Sequence, residues 1–193
     1  MLDPSERSRL LELALDSIAR GLYQPAPEPL PAAEWPSRLI APTAVFVTLT
    51  LGGELRGCRG TTEPLRSLAE EVWRSAWLSA FADPRFPPLA AEEVGSLRIA
   101  ISVLTALEPI ICSSEAELIE SLLPGVDGLV LRCGAARATF LPAVWKSLPE
   151  PREFVRQLRR KAGLYGSLWP AGMTAFRYRA ETFDSGEGAA LAA

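Results

Sequence analysis

The chain combines stretches whose apolar residues recur every three to four positions with stretches in which apolar and polar residues alternate. Near the start, the apolar residues between Leu10 and Leu22 recur every three to four positions. They predict an amphipathic helix that ends near Gly21 and Pro25. Residues 24–42 contain six prolines, which are incompatible with a helix or a central strand. This proline-rich stretch is therefore predicted to be a connector that runs over the surface.

The next segment predicts a β-hairpin followed by a helix. Apolar residues alternate from Thr43 to Leu51, and Gly52-Gly53 suits a tight turn because glycine accepts a positive φ. The returning strand is predicted from Glu54 to about Gly57. The helix after it is predicted to open with Pro64 in its first turn and to end at Asp83-Pro84.

The second half of the chain predicts short strands and short helices in mixed order. The predicted strands cover residues 97–104, 126–132, 137–141 and 176–182, and the predicted helices cover 115–123, 142–148 and 151–162. Because helices separate the hairpins without a regular βαβ alternation, the sequence predicts an α+β fold with a mainly antiparallel sheet flanked by helices. Residues 5–183 are expected to form a single domain, and residues 184–193 a flexible tail.

Composition excludes several kinds of chemistry. The chain has 193 residues with 20 basic and 23 acidic side chains, a formal net charge of −3, and no histidine. Without histidine, Ser-His-Asp and Cys-His catalysis, histidine zinc sites and an imidazole pH switch are excluded within this chain. There is also no Walker loop, no dinucleotide-binding glycine pattern and no carboxylate cluster with metal-ligand spacing. The sequence therefore predicts no metal and no cofactor.

The cysteines indicate a reduced environment. Cys58, Cys112 and Cys133 are too far apart for a redox pair or a zinc knuckle, and their odd number does not suit a disulfide framework. Charged residues interrupt the N-terminal segment where a secretory signal needs an apolar run. No later segment reaches about 18 apolar residues. These features predict a cytoplasmic protein that is not in a membrane.

The segment Leu55–Gly60 is the strongest candidate for chemistry. Arg56 and Arg59 flank Cys58, Gly57 and Gly60 bracket it, and a helix is predicted shortly afterwards. Glycines could let successive N–H groups converge on one anion, and positive surroundings favour the nucleophilic thiolate. The segment could therefore hold an anion beside a reactive sulfur, or hold an anion only. The structural alternative is that Cys58 is a small buried hydrophobe and that the glycines serve only the bend from strand to helix.

Two further segments have structural and functional interpretations. In the rigid turn at 83–88, Asp83 could cap a neighbouring backbone group, or Asp83 and Arg85 could reach the candidate segment. The predicted helix at 151–162 carries arginines near one side, namely Arg152, Arg156, Arg159 and Arg160. That side is interpreted as a solvated face, with docking to a partner protein as the alternative and nucleic acid as the less favoured one on an acidic chain.

The ordered motifs of the chain are similar to those of the AMMECR domain family. They are FVTL at 46–49, LRGCRG at 55–60, DPRFPPL at 83–89, PGVDGL at 124–129, TFLPAVW at 139–145, LPEP at 148–151 and KAGL at 161–164. The resemblance extends from about residue 5 to residue 183. It implies an α+β domain with a smaller second lobe. Bacterial and archaeal relatives are known as protein A of the AmmeMemoRadiSam system, so it also implies Memo-like and radical SAM proteins as partners.

The resemblance implies a site but assigns no reaction. The family's signature segment corresponds to residues 55–60, so we expect a small anionic ligand there, with Cys58 as candidate nucleophile and Arg56 orienting the anion. Gly57, Arg59, Gly60, Asp83 and Arg85 complete the predicted ligand-binding set. The alternative is a non-catalytic adaptor. Two positions depart from the family pattern: Arg59 stands where isoleucine is usual, and Thr50 stands where histidine is frequent, which argues against a histidine-dependent mechanism.

Overall fold

The predicted hairpin forms the centre of the first of two structural units. The computed structural model describes residues 1–166 and 169–186. The first unit comprises Met1–Leu104 and the chain from Glu181 onward, and the second comprises Thr105–Ala180. Each unit contains a four-stranded sheet with antiparallel pairing, so the fold is α+β, as the alternation of hairpins and helices predicts.

The first unit packs helices against a sheet of strand order β2-β1-β3-β8. Its elements are α1 (Pro4–Gly21), α2 (Ser37–Ile40), β1 (Val45–Leu51), β2 (Glu54–Gly60), α3 (Leu68–Phe81), a 3₁₀ helix (Ala91–Ser96), β3 (Leu97–Leu104) and, after the second unit, β8 (Ala180–Asp184). α1 and α3 contact each other and the sheet. Alternate residues Val45, Val47 and Leu49 of β1 are fully buried in the resulting core, which also contains Ile99 and Ile101 of β3.

The second unit has the strand order β4-β7-β5-β6 and a core of its own. Its elements are β4 (Glu108–Ile110), α4 (Glu115–Ser121), β5 (Gly128–Cys133), β6 (Ala136–Phe140), a 3₁₀ helix (Pro142–Lys146), α5 (Pro151–Lys161) and β7 (Thr174–Tyr178). Phe154 of α5 is fully buried and stacks on Trp145 with ring centroids 3.8 Å apart.

Several sequence predictions differ from the structure. β2 continues to Gly60, and α3 begins at Leu68 because the Ser67 hydroxyl caps it by accepting the Glu70 N–H. The predicted last strand is two strands, because Arg179 leaves the β7 ladder and pairs with Thr105 instead. β4 was not predicted. The proline-rich stretch 24–42 also contains one helical turn, α2.

Two other predictions concern the chain as a whole. The predicted tail at 184–193 falls mostly on residues 187–193, outside the described residues, while Asp184 ends β8. In the part of the chain that the structure describes, no helix has both the length and the apolar character needed to span a membrane.

Candidate functional site

The candidate segment 55–60 is a strand rather than a bend. It belongs to β2, which lies at the edge of its sheet and pairs with β1. Gly57 and Gly60 lack a positive φ. Their role is close packing, because a Cβ atom on Gly57 would lie 2.0 Å from the Ser79 carbonyl oxygen of α3, and one on Gly60 would lie 2.2 Å from the Val45 carbonyl oxygen. The predicted use of these glycines to bend the backbone around an anion was therefore wrong.

Cys58 lies on the sheet face opposite the buried residues of β1. Thr48 is its cross-strand partner and alternates with the buried Val47 and Leu49. The Thr48 hydroxyl donates a hydrogen bond to Cys58 Sγ over 3.3 Å, and the Cys58 side chain is half-buried. A hydroxyl that donates to sulfur stabilises the thiolate more than the thiol, because the hydrogen bond is stronger to a charged acceptor.

The turn after α3 brings Asp83 to the backbone of Cys58. Asp83 Oδ2 accepts the Cys58 backbone N–H over 2.9 Å, and its carboxylate is almost fully buried. Arg85 donates to the same carboxylate from Nε over 2.9 Å and from Nη2 over 2.6 Å. These Arg85 hydrogen bonds, helped by the Cys58 and Arg85 N–H groups, hold the pKa of Asp83 well below its usual range despite its burial. Asp83 therefore remains a carboxylate that anchors the edge strand, which matches its predicted capping role.

Arg85 supplies the positive charge near the thiol. Its hydrogen bonds to Asp83 raise the pKa of the guanidinium, and the negative charges of Asp83 and of the Cys58 thiolate add to this effect. The side chain is 52% exposed. Its Nη1 has no hydrogen-bond partner within the described ranges 1–166 and 169–186. Arg85 can therefore bind an external anion while it holds Asp83.

Arg56 is used differently from the sequence prediction. The pairing register shifts between Leu49 and Thr50, so Arg56 is the extra residue of a β-bulge, a feature that redirects a side chain. Its guanidinium makes two hydrogen bonds to Glu93, over 2.7 and 2.9 Å, and it also donates to the carbonyls of Pro87 and Pro88. Only 11% of the side chain is exposed. These contacts hold the 87–93 segment against β2, so they do not show the predicted orientation of an anion.

Arg59 is separated from the thiol by the alternation of the strand. It lies opposite the buried Val47, on the face away from Cys58, and its side chain is exposed at the sheet edge. Its backbone N–H donates to Ser79 Oγ over 2.9 Å. The structure thus brings Asp83, Arg85 and Thr48 to Cys58, and it places the Arg56 and Arg59 side chains elsewhere.

Sequence reasoning missed Thr48. Counting back from the Gly52-Gly53 turn places Thr48 opposite Gly57, and only the bulge at Arg56 moves Cys58 into that position. The 46–49 motif contains Thr48, but no local signal links it to the thiol.

The arrangement suits an activated thiol rather than acid–base catalysis through a side-chain dyad. Asp83 is a poor base because Arg85 keeps its pKa low. Within residues 1–166 and 169–186, no group of three or more histidine, cysteine, aspartate or glutamate residues has the geometry of a metal site.

Comparison with known proteins identifies similar chains. The family model described as AMMECR1 matches residues 11–183. A protein of Thermofilum pendens is 36% identical over 169 residues, which cover 79% of this chain and 78% of the relative. Protein MJ0810 of Methanocaldococcus jannaschii is 36% identical over 140 residues, covering 69% of this chain and 68% of that one. The crystal structure of uncharacterized protein PH0010 from Pyrococcus horikoshii has a TM-score of 0.88 and 30% identity, and the match covers 96% of this chain and 94% of PH0010.

Proposed function

This chain belongs to the AMMECR1 family, and we propose that it binds a small anionic ligand beside Cys58, whose thiolate is the nucleophile. The observation that carries the proposal is the Thr48 hydroxyl donating to Cys58 Sγ over 3.3 Å. This contact orients the sulfur and stabilises its charged form.

Arg85 is the proposed anion-binding group. Its guanidinium is half exposed and acts electrostatically on Cys58, and its Nη1 forms no hydrogen bond with any described residue. A carboxylate or phosphate on the ligand would bind there and place a neighbouring electrophilic carbon near Sγ. The Cys58 thiol would lose its proton to solvent, and the resulting thiolate would add to that carbon, which would be a carbonyl carbon. The new C–S bond would form as the C=O π bond breaks, and its electron pair would pass to the oxygen, which takes a proton from solvent.

The other residues of the predicted set have supporting roles in this proposal. Gly57 and Gly60 allow β2 to pack closely against α3 and β1, and Asp83 fixes both the Cys58 backbone and Arg85. Arg56 positions the 87–93 segment, and Arg59 contributes only long-range positive charge.

The test is the alkylation rate of Cys58 by iodoacetamide between about pH 6 and pH 9, followed by mass spectrometry of the peptide that contains it. Cys112 and Cys133 serve as internal references in the same sample. We expect Thr48→Val to lower the rate at neutral pH about tenfold, because a hydrogen bond to a charged group contributes about 1.5 kcal/mol. Inorganic phosphate or succinate should protect Cys58, and Arg85→Gln should remove that protection.

Two results would oppose the proposal. One is a Cys58 alkylation rate in the folded protein that is no higher than in the urea-unfolded chain, which would show that Cys58 is not an activated nucleophile. The other is protection by phosphate and succinate that persists in Arg85→Gln, which would show that Arg85 does not bind the anion.

We further propose that Memo-like and radical SAM proteins are its partners, with a non-catalytic adaptor as the second candidate function. The adaptor is favoured by a stripe of exposed arginines on α5, at Arg152, Arg156 and Arg160. Co-purification of tagged forms of the three proteins tests the association, and recovery of this chain alone would contradict it.

A further inference from the structure

The arginine side of α5 differs from its sequence prediction in one residue. Arg159, expected among the exposed arginines, is buried, forms an ion pair with Glu115 of α4 and donates to the Gly166 carbonyl. The remaining three, Arg152, Arg156 and Arg160, are exposed at a spacing of four residues. They form one stripe along the outer surface of the helix, with a rise of about 6 Å between neighbours.

This stripe borders a cleft between α4 and α5. The cleft has a volume of about 520 Å³. Ala116, which is exposed, and Ile119, which is half-buried, provide its apolar lining from α4. Arg152 and Arg156 line it from α5, and Glu120 lines it from α4. Glu115 and Glu153 also line the cleft, so its lining combines apolar residues with charges of both signs.

The charges at the cleft are only partly compensated within the protein. Arg156 forms an ion pair with Glu153 on its own helix. In the parts of the chain that the structure describes, the side chains of Arg152, Arg160 and Glu120 form no hydrogen bond or ion pair, and Arg160 acts only electrostatically on Glu153. A ligand that matches this surface needs negative groups on one edge, a positive group on the other, and apolar groups between them.

We propose that the α4–α5 cleft binds an amphipathic helix of a protein partner, whose acidic edge lies along Arg152, Arg156 and Arg160. Acidic residues four positions apart on such a helix have the same rise as the arginine stripe. Leucine-sized side chains between its charged edges would enter the cleft over Ala116 and Ile119, and a basic residue would face Glu120. Nucleic acid fits less well, because its phosphates cannot compensate Glu120 and offer no apolar side chain to Ala116 and Ile119.

This inference deepens the adaptor candidate and is independent of the thiol at Cys58. The test uses two fluorescein-labelled helical peptides of about 18 residues. The first carries glutamates at i, i+4 and i+8, leucines beside them and a lysine on the opposite edge. The second has the same leucines with every charge exchanged. Binding is measured by fluorescence anisotropy against the full chain.

We expect the wild-type chain to bind the first peptide about tenfold more tightly than the second, and the double variant Arg152→Glu, Arg156→Glu to reverse that preference. Ala116→Trp, which fills the cleft without changing its charge, should weaken the binding of both peptides. Arg74→Glu, which changes an exposed arginine on α3, is the matched control and should leave both affinities unchanged.

Four outcomes would overturn the proposal, three of them in the peptide and RNA measurements and one in co-purification. One is equal binding of the two peptides by the wild-type chain, and another is binding that the cleft variants do not change. The third is tighter binding of a labelled single-stranded RNA that the same arginine reversals abolish, which would assign the surface to nucleic acid. If the natural partners still co-purify with the double variant, the adaptor function stands while this docking site does not. The Cys58 alkylation rate should be the same in all these variants.

Discussion

Replacing Gly57 by alanine should destabilise the protein by preventing the close contact between β2 and α3. The new Cβ would lie 2.0 Å from the Ser79 carbonyl oxygen and 3.0 Å from its carbonyl carbon, whereas ordinary contacts begin near 3.4 Å. The strand and the helix must therefore move apart by roughly an ångström, because neither neighbouring atom belongs to a flexible side chain.

The magnitude follows from what that movement disturbs. Two hydrogen bonds join Ser79 Oγ to the sheet: it accepts the Arg59 N–H over 2.9 Å, and it donates to the Val47 carbonyl over 2.8 Å in competition with the Ser75 carbonyl at 2.7 Å. Weakening these two bonds and straining the packing should lower the free energy of unfolding by about 3 kcal/mol. For a chain of this length, each kcal/mol corresponds to about 2–4 °C in Tm, so the expected decrease is roughly 6–12 °C.

The assay is urea unfolding followed by circular dichroism, together with a thermal melt. Gly95→Ala is the matched control, because no atom lies within 4 Å of its new Cβ and Gly95 has no positive φ. The control should change stability by less than about 1 kcal/mol. A Gly57→Ala variant within about 0.5 kcal/mol of the wild type would refute the close-packing account of this glycine.

Three other substitutions have separate expectations. Asp83→Asn should lower the free energy of unfolding by about 1–3 kcal/mol at neutral pH. Because the native pKa of Asp83 is lowered, its stabilisation is complete above the unfolded-state pKa and is lost as pH falls through the native one. When urea unfolding is measured at decreasing pH, the Asp83→Asn variant should therefore lose less stability than the wild type. Equal losses of stability would contradict this expectation. Arg56→Lys should lower the free energy of unfolding in urea by about 1–3 kcal/mol, since lysine cannot make the paired hydrogen bonds to Glu93. Arg98→Lys, at an exposed ion pair, is the control, and an equal decrease would argue against the role of Arg56 in holding the 87–93 segment. Phe154→Ala should cost about 3–5 kcal/mol through the buried cavity it leaves, and a change below 1 kcal/mol would show that the site collapses.

Much of the fold could be predicted because it depends on local periodicity. Buried Val45, Val47 and Leu49 lie on one strand face, as their alternation indicates, and the hairpin turns at Gly52-Gly53 with positive φ at both residues. Both units have the predicted mixture of helices and antiparallel strands. The start of α3 depends on a local cap at Ser67, but other differences from prediction depend on contacts that are distant in sequence. The last strand divides at Arg179 because Thr105, 74 residues earlier, takes its backbone hydrogen bonds.

The candidate site shows the same division between local and distant information. The order of amino acids is enough to establish a thiol between arginines and glycines, the lack of histidine, and ordered motifs of a known family. The surroundings of that thiol depend on how the chain folds. The bulge at Arg56 sets Thr48 opposite Cys58, and a turn 25 residues away supplies Asp83 and, beside it, Arg85. The physical reason is that a side chain's direction follows local backbone geometry, whereas its partners depend on strand register and on packing between elements that the chain brings together only on folding.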